Sequence, residues 1–218
     1  MSKNEKMKRE EILQILMDEP SIEVTISEIV KKIKIPSKTG YRQVHNLIKE
    51  KILSSIKIGP YHQVKLNLNQ EIALAELVKV EMNKKERFLD VQTTLIKKAF
   101  QKLEERLNKF AQIEIILVFG SYAKGKQKTS SDIDLIVLLT KKDQKLRQQV
   151  ENLIAEISYE FADLIINPLI ISLNDYFKML QEKKENVGKQ SFKNHIIIKG
   201  SYEFWKDVGE VIQNRTRR

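Results

Sequence analysis

The 218-residue sequence has no cysteine, four prolines, seven glycines, one tryptophan and three histidines. Without cysteine there is no disulfide framework, no thiolate metal site and no cysteine nucleophile. His45, His62 and His195 lie far apart and lack metal-ligand spacing, which argues against a histidine-based zinc site. No apolar run approaches the roughly 20 residues that cross a bilayer, and the opening MSKNEKMKREE is charged with no apolar stretch behind it. The expectation is a soluble, cytoplasmic protein with no membrane contact.

What is present is ordinary for a globular chain: 41% hydrophobic and 31% charged residues, which excludes disorder throughout. The length suits one large or two small domains. Lysine and arginine number 39 against 29 acids, a net charge of +10. Such an excess favours polyanionic partners, nucleic acid or phosphorylated small molecules, although a lysine coat over every surface produces the same number.

The few punctuating residues divide the chain. Residues 1–19 read as a helix ended by Pro20, with Met7, Ile12, Ile15 and Leu16 at helical spacing. Thr25 or Ser27 caps a short helix carrying Ile29, Val30 and Ile33. Pro36-Ser37 opens a third helix to about Lys51, with Ser37 as N-cap and Tyr41, Val44, Leu47 and Ile48 as its apolar face. Strands at 52–58 and 61–67 follow, joined at a Gly59-Pro60 tip. Residues 70–110 alternate apolar and charged residues helically and form one long helix or two consecutive ones. From 113 the run Ile113 to Phe119 reads as a buried strand ending at Gly120, and Ile133 to Leu139 as a second. A helix over 142–161 leads to a third strand, 164–171, where Pro168 demands an edge position or a bulge. Residues 173–213 read as mostly helical, with an apolar Ile196-Ile197-Ile198 stretch. Trp205, with Phe204 and Tyr202, reads as packing.

The chemistry concentrates in Phe119-Gly120-Ser121-Tyr122-Ala123-Lys124-Gly125 and Ser130-Ser131-Asp132-Ile133-Asp134-Leu135. Strand side chains alternate faces, so Asp132 and Asp134 point the same way, roughly 6.5–7 Å apart at the backbone, while Ile133 and Leu135 face the core. Two carboxylates on one face repel unless a cation lies between them, and magnesium suits carboxylates plus substrate phosphates. A Gly-Ser turn permits close backbone approach and can hold a nucleotide's terminal phosphates, with Lys124 neutralising charge. The bland alternative is a solvated Ser/Asp-rich loop.

Gly120-Ser121, Ala123, Gly125 and Ser131-Asp132-Ile133-Asp134-Leu135 resemble the signature of the DNA polymerase β-like nucleotidyltransferase superfamily, most closely its minimal nucleotidyltransferase branch. The resemblance in layout spans roughly residues 110–200 and implies a short mixed β-sheet flanked by helices. It implies that Gly120 and Ser121, with Lys124 and Ser131, bind the triphosphate of a nucleotide such as ATP. It implies further that Asp132 and Asp134 hold catalytic Mg2+, or Mn2+ in its place, while a nucleoside monophosphate passes to an acceptor hydroxyl and pyrophosphate leaves. The family's third acid falls on a later strand. Asp163 is the candidate, with Glu160 a poorer one, and Asp163 could equally cap the preceding helix. Related minimal enzymes often pair with a toxin of the helical HEPN type, which makes such a protein partner an open possibility here.

Three short helices and a hairpin are the order of a winged helix-turn-helix. Its third helix would enter the DNA major groove with Ser37, Lys38, Thr39, Arg42, Gln43 and Asn46 facing out, Arg and Gln being suited to bidentate base contacts. Lys57, Tyr61, His62 and Lys65 on the wing would touch phosphate or the minor groove. Such modules also serve protein interaction or dimerisation, and a homodimer is compatible with either use.

The fold expected is therefore α+β: an N-terminal winged helix domain (1–69), a helical connector (70–110) and a C-terminal nucleotidyltransferase fold (111–218). Two functions follow. One is a magnesium-dependent nucleotidyltransferase with a nucleic-acid-binding front end. The other is a DNA-binding transcriptional regulator whose nucleotidyltransferase lobe senses a nucleotide without turning it over.

Overall fold

The structure, a computed structural model, describes residues 3–33, 35–59, 61–128, 130–161 and 164–216. The chain divides into two compact units, residues 1–80 with 205–218, and residues 81–204.

The first unit begins with α1 (Lys3–Asp18), β1 (Val24–Thr25), α2 (Ile26–Lys32), α3 (Ser37–Lys49), β2 (Leu53–Ile58) and β3 (Tyr61–Leu66), followed by α4 (Glu71–Asp90), which carries the chain onward. Thr25 caps α2 through a full capping box: its hydroxyl accepts from the Glu28 N–H, and the Glu28 carboxylate accepts from the Thr25 N–H. The sheet order is β1-β3-β2, all antiparallel. Gly59, at φ +57°, supports the turn between β2 and β3; the expected tip residue Pro60 lies outside the described residues.

Three expectations for α3 are corrected. Its N-cap is Pro36, with no side-chain cap bond, so Ser37 is the first helical residue. Its buried stripe is Gly40, Gln43, Val44 and Leu47, whereas Tyr41 is 40% exposed. Gln43, expected to face out, is buried at 4% exposure. The cause is Gly40. A Cβ there would stand 2.6 Å from Val30 Cγ2, so only glycine lets α3 close on α2 along this face. In the same unit Arg9 donates from Nη2 to Glu50 (2.6 Å) and from Nε to Glu76 (2.7 Å), joining α1 to the end of α3 and to α4.

The second unit contains α5 (Thr94–Leu107), β4 (Ile113–Phe119), α6 (Gly120–Ala123), β5 (Ile133–Leu139), α7 (Gln144–Glu160), β6 (Ile166–Ser172), α8 (Leu173–Gln181), α9 (Val187–Lys193) and β7 (Ile196–Lys199); α10 (Ser201–Thr216) follows. The stretch expected to be one helix or two is thus two, α4 and α5. The sheet order is β6-β5-β4-β7, with β5–β6 parallel and the other pairs antiparallel. Pro168 lies on β6, the edge that the missing N–H requires. Ile196-Ile197-Ile198 forms an edge strand at the other side, inside a segment read as mostly helical.

Strand alternation divides the sheet's faces. Ile133, Leu135, Val137 and Leu139 join a core with Phe100, Leu103 and Leu107 of α5 and Val150, Ile154 and Ile157 of α7. Residues 132, 134, 136 and 138 therefore belong to the opposite face. Mixed sheet and flanking helices together fit a nucleotidyltransferase fold.

Candidate functional site

The site is built at the turn from β4 into β5. The apolar run of β4 stops at Phe119, and Gly120 adopts φ +69°, a left-handed conformation that glycine takes without strain. The single turn of α6 follows and closes on itself, with the Gly125 N–H bonded to the Tyr122 carbonyl (3.1 Å) and the Lys126 N–H to the Ser121 carbonyl (3.0 Å). Gly125, at φ +62°, releases the chain into the loop that returns to β5.

Asp134 is the cross-strand neighbour of Phe119 on β4 and of Asn167 on β6. A Cβ on Gly120 would collide with Asp134 Oδ2, so the glycine makes room for this carboxylate. Asp132, one pleat earlier on the same face, accepts a hydrogen bond at Oδ2 from Asn167 Nδ2 (3.0 Å). Both aspartates are half-buried. Burial, and then the negative charge of Asp132, push the Asp134 carboxyl above its ordinary range. The same two causes raise the buried Tyr122 phenol. Burial is the larger cause of both shifts, and the Asp132 charge on the same face adds to it. Hard oxygen donors in that arrangement fit a cation such as magnesium.

The remaining expected residues are distributed as follows. Ser121 is half-buried in α6 and Lys124 is exposed at its end. The Ser131 hydroxyl accepts from the Lys128 N–H (2.8 Å), which tethers the loop and leaves the hydroxyl proton to donate elsewhere. Asp163, the candidate third acid, lies outside the described residues. Its alternative, Glu160, is exposed at the end of α7 and pairs with Lys102 Nζ (2.9 Å). Among the described residues no group of three or more His, Cys, Asp or Glu side chains is gathered for a metal.

Asn167 is the residue the sequence reading missed. Nothing local in the sequence marks it as a neighbour of the acids. The parallel register between β5 and β6 is what brings it there.

Residues 101–201 match the family model described as polymerase beta, nucleotidyltransferase. The match contains the whole Gly120 to Leu135 motif and all four strands of the sheet. It supports a nucleotidyltransferase-superfamily domain in this part of the chain. The domain's relatives include a Methanocaldococcus jannaschii protein named provisionally as a protein adenylyltransferase, 43% identical over 42 residues, or 19% of this chain and 49% of the relative. The chain thus spans about half the length of that curated relative. A crystal structure of a toxin-antitoxin with AMP-PNP is a looser likeness, with TM-score 0.37 and 19% identity over 54% of this chain and 87% of the other.

On α3, Lys38, Arg42 and Asn46 are exposed and Thr39 is half-buried. On the hairpin, Lys57, Tyr61 and His62 are exposed, while Lys65 is engaged by Glu23 (2.8 Å). Among the described residues no helix is long and apolar enough to cross a membrane.

Proposed function

We propose that the chain is a magnesium-dependent nucleotidyltransferase that moves a nucleoside monophosphate from a nucleoside triphosphate to an acceptor hydroxyl. The observation that carries this reading is the pair Asp132 and Asp134 on one face of β5, packed against the left-handed turn at Gly120. Gly120 and Ser121 bring backbone and hydroxyl to the triphosphate, Ser131 donates its hydroxyl proton, and Lys124 offsets phosphate charge. Asp132 and Asp134 hold the magnesium, or manganese in its place, which supplies charge neutralisation at the phosphoryl oxygens when bound. The acceptor oxygen forms its bond to the α-phosphorus as the bond to the bridging oxygen breaks and pyrophosphate leaves. Asp163 takes the acceptor proton in this scheme.

The provisional name of the Methanocaldococcus relative favours ATP as the donor and a protein hydroxyl as the acceptor. A helical partner of the HEPN type is one such acceptor. The domains in this reading are 1–69, 70–110 and 111–218, the first a winged helix-turn-helix. The order of helices with a β1-β3-β2 sheet supports that assignment. Lys38, Thr39, Arg42 and Asn46 then face DNA, in a monomer or homodimer. Gln43, being buried, does not.

A second reading, a regulator that holds nucleotide without turnover, is favoured by one observation: the side chain beside Asp134 on β6 is the amide Asn167 and not a carboxylate.

Calorimetry with ATP, GTP, CTP and UTP, with and without magnesium, followed by incubation of labelled nucleotide with cell extract, tests both. Magnesium-dependent binding with a labelled product supports the transferase. Binding with no product supports the regulator. No binding by any nucleotide overturns the site.

A further inference from the structure

The candidate site has a third oxygen-bearing side chain, and it is neutral. Asn167 lies on the edge strand β6, in register with Asp134 and on the same face, because partners in a parallel ladder point the same way. It is exposed. Its amide nitrogen donates to Asp132 Oδ2 at 3.0 Å. That bond uses one of the amide's two N–H donors on one carboxylate. The amide is neutral and stands beside two carboxylates that share its face.

The geometry points to Asn167 as a positioning residue for the divalent cation: its amide fixes the Asp132 carboxylate, and its neutrality adds no further charge at the strand position beside Asp134. This rests on the nucleotidyltransferase reading of the site and deepens it. A donor to one oxygen of a metal-binding carboxylate restricts its rotation and leaves the other oxygen for the ion. Loss of such a partner typically weakens metal affinity by about 10- to 100-fold. Neutrality has a separate consequence. Replacing the amide by a carboxylate puts a third negative charge beside two that already repel, which harms the ion-free protein and attracts the ion more strongly. A residue serving only to pack or pair β6 leaves Mn2+ affinity unchanged when its amide is removed.

The test is titration of the intact chain with Mn2+ alone, with thermal denaturation in EDTA and in Mn2+, for the wild type, Asn167→Ala and Asn167→Asp. Asn167→Ala is expected to weaken Mn2+ binding about tenfold or more, with little change of midpoint in EDTA at this exposed edge position. Asn167→Ser repeats that measurement should the alanine variant be poorly folded. Asn167→Asp is expected to melt below the wild type in EDTA, to bind Mn2+ at least about tenfold more tightly and to gain more midpoint from it. Wild-type Mn2+ affinity in both Asn167→Ala and Asn167→Ser overturns the positioning role, and unchanged or weaker affinity in Asn167→Asp overturns the charge argument. Either result leaves the site reading standing if the wild type binds. A wild type that binds neither Mn2+ nor magnesium with ATP overturns the site reading, and this inference with it.

Discussion

Asp134 occupies the space that a side chain on Gly120 would need, the overlap falling on its Oδ2. A turn residue and a strand residue 14 positions later are thus one structural unit. Gly120→Ala forces φ +69° onto a residue with a Cβ, at about 1–3 kcal/mol, and drives the carboxylate away. The expected outcome is a folded, mildly destabilised protein whose magnesium-dependent nucleotide affinity falls about tenfold or more. Calorimetry with ATP and magnesium checks it. Wild-type affinity would separate the turn from the site.

Asp132→Ala and Asp134→Ala are expected to abolish magnesium-dependent nucleotide binding without destabilising the ion-free fold, since each removes one of two repelling carboxylates. Magnesium should raise the melting midpoint of the wild type and of neither variant. Retained affinity in both variants would move the cation elsewhere.

Glu81 is fully buried, facing His195 Nε2 at 3.3 Å and Lys84 Nζ at 3.0 Å. Burial pushes its carboxyl up, but His195 and Lys84 outweigh burial and hold it below the usual range. A carboxylate depressed in the folded state adds stability that is present above its unfolded pKa of about 4.3 and lost as pH falls through the folded value. Glu81→Gln should therefore cost about 3 kcal/mol near neutral pH, because it strips a buried partner from His195 and Lys84. The gap from wild type should shrink in acid. Urea titrations at several pH values measure this, and a pH-independent gap would contradict it.

Arg42 and Gln43 are adjacent on α3 but opposite in setting, the first exposed and the second 4% exposed. If α3 lies against DNA, Arg42→Ala weakens binding and lowers the salt slope by about one. Gln43→Ala should instead lower stability by about 1 kcal/mol and leave the intrinsic DNA affinity unchanged. Fluorescence anisotropy across a salt series reads the first, and denaturation the second. DNA affinity unaltered in both Arg42→Ala and Lys38→Ala would take α3 out of the interface.

Much of the second unit was legible residue by residue. β4 and β5 begin and end where their apolar runs do, broken only by Glu114 and Asp134, because a strand covered on both faces needs a mostly apolar run and Gly120 and the polar loop end it. Pro168, through its missing N–H, announced an edge or a bulge, and the sheet order makes it an edge. β7 was not legible: four residues carry too little periodicity, and Ile196–Lys199 becomes a strand by pairing with β4. The rotation of α3 was hidden too. Tyr41 looks like a better core residue than Gly40 until α2 is brought against the helix.

The chain's own order of residues determined what local rules control: the Gly-Ser turn, the strand periodicity that sets Asp132 and Asp134 on one face, and a hydroxyl cap for α2 at Thr25 or Ser27, of which the structure uses Thr25. Each depends on neighbours within a few positions, where backbone geometry alone sets direction. Tertiary structure decided the rest. Asn167 reaches Asp132 through a parallel register between strands separated by α7, and Glu81 meets His195 across 114 positions. Register and burial of that kind come from how whole elements pack, and no local pattern encodes which distant side chain will stand opposite.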